Sequence, residues 1–323
     1  MLEQRWKRSV EAMKNSSRVW ATLLMIPLII AVCALSIRST ASREEKGETI
    51  MYGTAQLRNE IRIPVSEADN LEVLYTSKNI YVYPAKTDEI VIKEYLLTDR
   101  EDAKATVSRS ETTDGKRTVT VAGAKNQIIS IFYVGVGERI EVYLPKEAVS
   151  SLHIETKSGN IRSEEEGFAL KAKEVHVHAS SGNILWGNTK AQEIVLGTSS
   201  GNIKTWNMTG NMNTQASSGN ITIEEFAGSG SAKANSGNVR VAVQELTGNL
   251  ELQTSSGNVK AELPRDAAFI FEAQTGSGKI RTDFEDKVAY NTKGNQASAI
   301  IGNQPSVSVK AGAGSGNVTI SYS

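Results

Sequence analysis

The three histidines of this chain, His153, His176 and His178, fall near one another with Glu155. His153 and His176 each stand six residues before the glycine of a recurring Ser-Gly-Asn tripeptide. If successive tripeptides stack, His153, Glu155, His176 and His178 share one outward face. Imidazole with carboxylate suits zinc or copper. The competing reading is a solvated polar face, because the next copy of the repeat puts Val195 and Gly197 in those slots.

A second pattern lies three residues after each glycine, where the chain reads Arg162, Leu185, Lys204, Thr222, Arg240, Lys260 and Arg281. Stacking would line Arg162, Lys204, Arg240, Lys260 and Arg281 into a stripe able to hold an anionic wall polymer or lipid head groups. Against that, Glu224, Glu262 and Asp283 follow two positions on and offset part of the charge. Trp186 and Trp206 lie one repeat apart, as a sugar-stacking platform or as packing at a loop base.

Catalytic patterns are missing. The run Glu164-Glu165-Glu166 reads as a solvated corner rather than the separated carboxylates of a glycosidase. No nucleophile elbow, phosphate-binding glycine loop or metalloprotease helix occurs. No cofactor is expected. The single cysteine, Cys33, excludes an intrachain disulfide and a cysteine-based zinc site. The formal net charge is zero, which gives no reason to expect a nucleic-acid partner.

These side chains must be positioned by the repeat. Ser-Gly-Asn recurs at 158–160, 181–183, 200–202, 218–220, 236–238, 256–258 and 315–317, with Ser277-Gly278-Lys279 as a variant. The glycines from Gly159 to Gly278 step by 23, 19, 18, 18, 20 and 21 residues. A period near 20 marks a solenoid. Seven before the glycine stand Leu152, Val175, Ile194, Met212, Gly230, Leu250 and Phe271, and alternate residues up to the corner are apolar or small. Two after it stand Ile161, Ile184, Ile203, Ile221, Val239, Val259 and Ile280. Such alternation predicts one short strand on each side of a corner. Glycine takes positive φ without penalty and asparagine tolerates it next best. Stacked about 4.8 Å apart, Asn160, Asn183, Asn202, Asn220, Asn238 and Asn258 would form a structural ladder of amides.

The expected fold is therefore all-β, a parallel β-solenoid preceded by one transmembrane α-helix. Residues 65–323 make the solenoid, irregular over 65–150 and regular over 151–323. In the irregular part, Thr76-Ser77-Lys78-Asn79 is a degenerate copy of the corner. Glu89–Leu96, Arg117–Val121 and Arg139–Tyr143 alternate as strands, and the charged tract 98–116 is an excursion or hairpin. These strands are expected to cap the first end of the stack.

Val19–Ile37 carries no charge and as a helix spans roughly 28 Å, enough for a bilayer core. Arg5, Lys7, Arg8, Lys14 and Arg18 precede it, which puts residues 1–18 in the cytoplasm as a basic tail. Residues 38–64 then form an extracytoplasmic stalk. The apolar stretch exceeds that of a cleaved signal, and Val32 before Cys33 breaks the lipoprotein pattern.

The Ser-Gly-Asn-Ile/Val corners, Val-Tyr-Leu-Pro at 142–145, Ala-Glu-Leu-Pro at 261–264 and the terminal Gly-Asn-Val-Thr-Ile resemble the putative-adhesin β-strand-repeat family of bacterial envelope proteins. That family is a domain of unknown function that includes the LiaG-like proteins, and the resemblance covers roughly residues 65–323. It implies an anchored or exported solenoid with no catalytic residues to carry over. The expected function is that of a non-catalytic, single-pass envelope protein used for binding, adhesion or stress sensing. Its expected partners are the membrane, an anionic wall polymer or glycan, or another membrane protein met through residues 1–37. The alternative is a surface β-helix enzyme acting on polysaccharide.

Overall fold

The computed structural model describes residues 54–111, 114–124, 137–163 and 167–323. The basic tail, the apolar segment 19–37, the first part of the stalk and Glu164–Glu166 lie outside the described residues. Among the described residues no helix is long and apolar enough to cross a membrane. Everything that follows belongs to the compact unit Ile50–Ser323.

That unit is all-β. Its first strands are β1 (Gln56–Pro64), β2 (Asn70–Tyr75), β3 (Asn79–Pro84), β4 (Glu89–Leu96), β5 (Thr106–Glu111), β6 (Arg117–Ala122) and β7 (Arg139–Leu144). The regular coils follow as β8 (Ser151–Ser158), β9 (Ile161–Ser163), β10 (Leu170–Ser181), β11 (Ile184–Ser200), β12 (Ile203–Ser218), β13 (Ile221–Ser236) and β14 (Val239–Ser256). The chain closes with β15 (Val259–Leu263), β16 (Phe269–Ser277), β17 (Ile280–Thr282), β18 (Ala289–Tyr290), β19 (Gln296–Ile301), β20 (Ser308–Ser315) and β21 (Val318–Tyr322).

Two ladders result, one on each side of the corner. Before the corner the spatial order is β5-β6-β2-β8-β10-β11-β12-β13-β14-β20-β16-β19-β18. After it the order is β1-β4-β7-β3-β9-β11-β12-β13-β14-β15-β21-β17. Pairing within the stack is parallel, and the outermost strands β1, β4, β5, β18 and β19 pair antiparallel. An open solenoid end exposes unpaired backbone groups, and these hairpin-like strands cover them at the first end of both ladders and the last end of the ladder before the corner.

The core is a set of columns. Ile80, Ile161, Ile184, Ile203, Ile221, Val239, Val259, Val318 and Ile280 lie in adjacent register and are all buried. Branched side chains suit this pleated surface because each meets a copy of itself above and below. Another column mixes alanine with threonine, and the threonines satisfy corner carbonyls. Thr156 Oγ1 donates to the Lys78 carbonyl at 3.1 Å, Thr198 to Gly182 at 3.1 Å and Thr254 to Gly237 at 2.7 Å.

The structure departs from the sequence expectations in four places. Gln56–Pro64, read as the end of a stalk, is β1, and it pairs with β4 because Ile61 and Ile63 alternate inward against Ile92 and Ile90. The strands flanking a corner are not separate short pieces, since β11 to β14 run for 16 to 18 residues from one corner to the next. Left-handed residues interrupt three of them, Asn188 in β11, Asn207 in β12 and Glu225 in β13, with φ values of 49°, 49° and 53°. Coils are also not stacked in chain order: β20 lies between β14 and β16, and β21 between β15 and β17.

The fourth departure concerns the corner. Its asparagines are not among the residues of positive φ. Their work is the ladder. Its glycines do take positive φ from Gly201 onward, 156° at Gly201 and 146° at Gly219, and close stacking fixes them as well, because a Cβ on Gly219 would stand 1.8 Å from the Gly201 carbonyl oxygen. The same close contact holds along the stack, with Gly182 facing the Gly159 oxygen at 1.9 Å.

Candidate binding faces

The amide ladder is continuous. Asn183 Nδ2 donates to Asn160 Oδ1 at 3.3 Å, Asn202 to Asn183 at 3.2 Å, Asn220 to Asn202 at 3.2 Å, Asn238 to Asn220 at 3.0 Å and Asn258 to Asn238 at 3.1 Å. Each asparagine oxygen also accepts the backbone N–H of the next asparagine at 2.8 to 2.9 Å. Asn79 begins the row and Asn317 extends it, donating to Asn258 at 3.3 Å. With both amide ends engaged along the stack, these side chains tie each coil to the next.

The histidines do share a face. Parallel pairing of β10 with β8 sets His176 beside His153 and His178 beside Glu155. The His153 and His176 rings stand 6.3 Å apart, and His153 Nε2 lies 3.8 Å from Glu155 Oε2. Neighbouring strands hold such side chains side by side, so they project outward instead of converging. Among the described residues no group of three or more histidine, cysteine, aspartate or glutamate side chains could hold a metal ion. Glu72 on β2 completes the row next to His153, where it accepts a 2.7 Å hydrogen bond from Thr120. Aligning the chain on Lys78 of the degenerate corner would have found Glu72, which stands six residues before it.

The basic stripe is interrupted. Arg162, Leu185, Lys204, Thr222, Arg240 and Lys260 follow in register, but Thr319 of β21 separates Lys260 from Arg281. Lys204, Arg240 and Lys260 are also partnered. Lys204 lies 3.3 Å from Glu224, and Glu262 is shared by Arg240 at 3.1 Å and Lys260 at 2.9 Å. The hydrogen bond from Lys260, with the nearby Arg240 guanidinium, holds the Glu262 carboxyl below its ordinary range. Trp186 and Trp206 form no platform. Register pairs Trp206 with Gly187, so Trp186 is buried in the core with Nε1 donating to Thr189 at 3.0 Å while Trp206 covers the opposite face.

A feature that the sequence reading did not single out lies on the outer side of the ladder before the corner. An open trough of about 1100 Å³ crosses the strands from Gln215 on β12 to Tyr290 on β18. One column of its lining is Gln215, Lys233, Gln253, Gly312, Gln274 and Gln296, in direct register. The next column carries two ion pairs, Lys233–Glu251 at 2.7 Å bridging into it and Lys310–Glu272 at 3.0 Å. Its central strand is β20, from the far end of the chain, so chain-order alignment cannot assemble it.

A search of curated proteins finds no match. Among solved structures, the chain is similar to a putative adhesin from Bacteroides fragilis, with 14% identity, TM-score 0.49, and 81% of this chain and 96% of that one covered. It is similar also to a putative adhesin from Parabacteroides distasonis, with 12% identity, TM-score 0.46, and 82% and 97% covered. A putative cell adhesion protein from Clostridium sporogenes matches at 11% identity and TM-score 0.31, with 82% and 99% covered. Residues 59–321 match the family described as Toastrack DUF4097, and the chain belongs to that family.

Proposed function

We propose that the protein is a single-pass envelope protein that displays its solenoid outside the cytoplasm as a rigid, non-catalytic binding module. The observation that carries this reading is the trough on the ladder before the corner, a concave surface of about 1100 Å³ whose charged side chains are spent on one another. Acid–base chemistry needs a carboxyl or base held free to exchange a proton with substrate. Glu251 and Glu272 are instead paired with lysines. The apolar segment 19–37 and the basic residues before it supply the anchor and its orientation.

Two measurements test the reading. Protease added to intact cells should remove the solenoid and leave a membrane-bound N-terminal fragment; resistance until the cells are broken contradicts the orientation. The detergent-solubilised full chain should be retained by purified cell-wall sacculi and release no soluble sugar from them. Release of sugar by the protein would favour the polysaccharide-acting enzyme, and absence of retention would count against wall binding.

A further inference from the structure

Gly312 is a glycine that the fold does not require. Its φ lies outside the left-handed range, and an added Cβ would meet nothing nearer than Gln253 Cγ at 3.7 Å, an ordinary contact. A strand pays in stability for such a residue, and an interior glycine with no packing duty marks a place where something approaches the backbone. Gly312 lies at the middle of the trough, between Gln253 on β14 and Gln274 on β16. Gly314 and Gly276 extend the bare floor, each set by close stacking, with a Cβ falling 2.5 Å from the Ser255 oxygen and 2.4 Å from the Gly314 oxygen.

We propose that this trough binds an uncharged polysaccharide chain laid across the strands, an inference that rests on the solenoid being a binding module and names its ligand class. A floor of glycine backbone is flat and presents C–H groups, the complement of the C–H face of a pyranose ring. Glutamines on both sides of the floor offer donors and acceptors to ring hydroxyls. Tyr290, 41% exposed, stands at one end as an aromatic surface for a sugar face. Six strand steps from β12 to β18 give a length of about 30 Å, room for several sugar units.

Other ligand classes fit less well. A polyanion gains little, because Lys233 and Lys310 are already neutralised by Glu251 and Glu272. A peptide cannot add as a strand, since β14, β20 and β16 are paired on both sides.

The test uses the detergent-solubilised full chain with cellohexaose and chitohexaose as uncharged probes and polyglycerol phosphate as the polyanion, read by isothermal titration. An uncharged hexasaccharide should bind and the polyanion should not. Gly312→Gln should abolish that binding while leaving Tm unchanged or higher, because its side chain fills the floor without touching the core. Tyr290→Ala should weaken binding up to about tenfold. Binding of the polyanion alone, or uncharged binding that survives Gly312→Gln, overturns the inference. If sacculi retain the wild type and Gly312→Gln equally and neither hexasaccharide binds, the trough is wrong while the binding module stands. If sacculi retain neither, both fall.

Discussion

At the scale of single residues, the corner divides its labour. Glycine is there because the preceding coil's carbonyl oxygen occupies the space of a Cβ, and asparagine because its amide spans one coil to the next. Gly219→Ala should therefore prevent native stacking and lower the yield of folded protein, whereas Gly312→Ala, which meets only ordinary contacts, should leave the thermal midpoint within a few degrees. Replacing Asn202 and Asn220 together by alanine removes ladder bonds to both neighbours and should cost about 2 kcal/mol in urea unfolding. Unchanged stability would show that water replaces the ladder at no cost. The existence of that ladder was legible in the sequence because its period is regular. The positive φ of the glycines from Gly201 onward was legible too; their close stacking was not, because a close backbone approach leaves no trace beyond the glycine itself.

Acid sensitivity also belongs to single residues. Asp69 is held below the ordinary carboxyl range mainly by its hydrogen bond from Arg117, and Glu262 by that from Lys260. A depressed folded value favours the folded state above the unfolded carboxyl pKa near 4, and that contribution disappears as pH falls through the lower folded value. Thermal midpoints should hold from neutral pH to about 5 and decline below about 4. In Lys260→Ala, Glu262 should titrate closer to its ordinary value by NMR, and an unmoved titration would show that Lys260 is not the main cause.

At the scale of elements, most strands could be placed from alternation alone. Glu89–Leu96 is β4 with those same bounds, and the charged tract at 98–116 includes β5 of a hairpin with β6. The spatial order could not be read, because the 21-residue step from Gly257 to Gly278 looks like every other step between neighbouring coils. Only the pairing of β20 and β21 reveals that this step skips a position which the C-terminus fills. A chain ending at residue 306 lacks both strands and leaves β14 and β16 facing each other across an empty place. Exposed ladder edges recruit other strands. Size-exclusion chromatography should therefore show oligomers or aggregates, and a monomer of unchanged stability would mean that β14 and β16 close directly.

The first-end cap has its own fastening. Glu94, almost wholly buried, accepts hydrogen bonds from Asn59 at 2.7 Å, Tyr75 at 3.0 Å and the Ala105 N–H at 2.8 Å. Burial, with the neighbouring Glu94, pushes the Tyr75 hydroxyl well above its usual value, so it remains a donor at physiological pH. No repeat alignment exposes this network, because its partners come from β1, β2, β4 and the segment before β5.

At the scale of the whole molecule, the parts that repeat are the parts that hold it together, and the candidate site lies where the repeat is broken. The trough exists only because β20 enters the stack between β14 and β16 and brings Gly312 and Gly314 with it. That placement can be measured through disulfides in a Cys33→Ser background. Opposed residues on adjacent parallel strands lie about 4.8 Å apart, within the range a disulfide spans, whereas residues two strands apart lie near 9.6 Å and outside it. Under mild oxidation, Glu251→Cys with Lys310→Cys should form an intramolecular disulfide, and Glu251→Cys with Glu272→Cys should not. Efficient bridging of positions 251 and 272 would mean that the coils stack in chain order, and the trough would not exist.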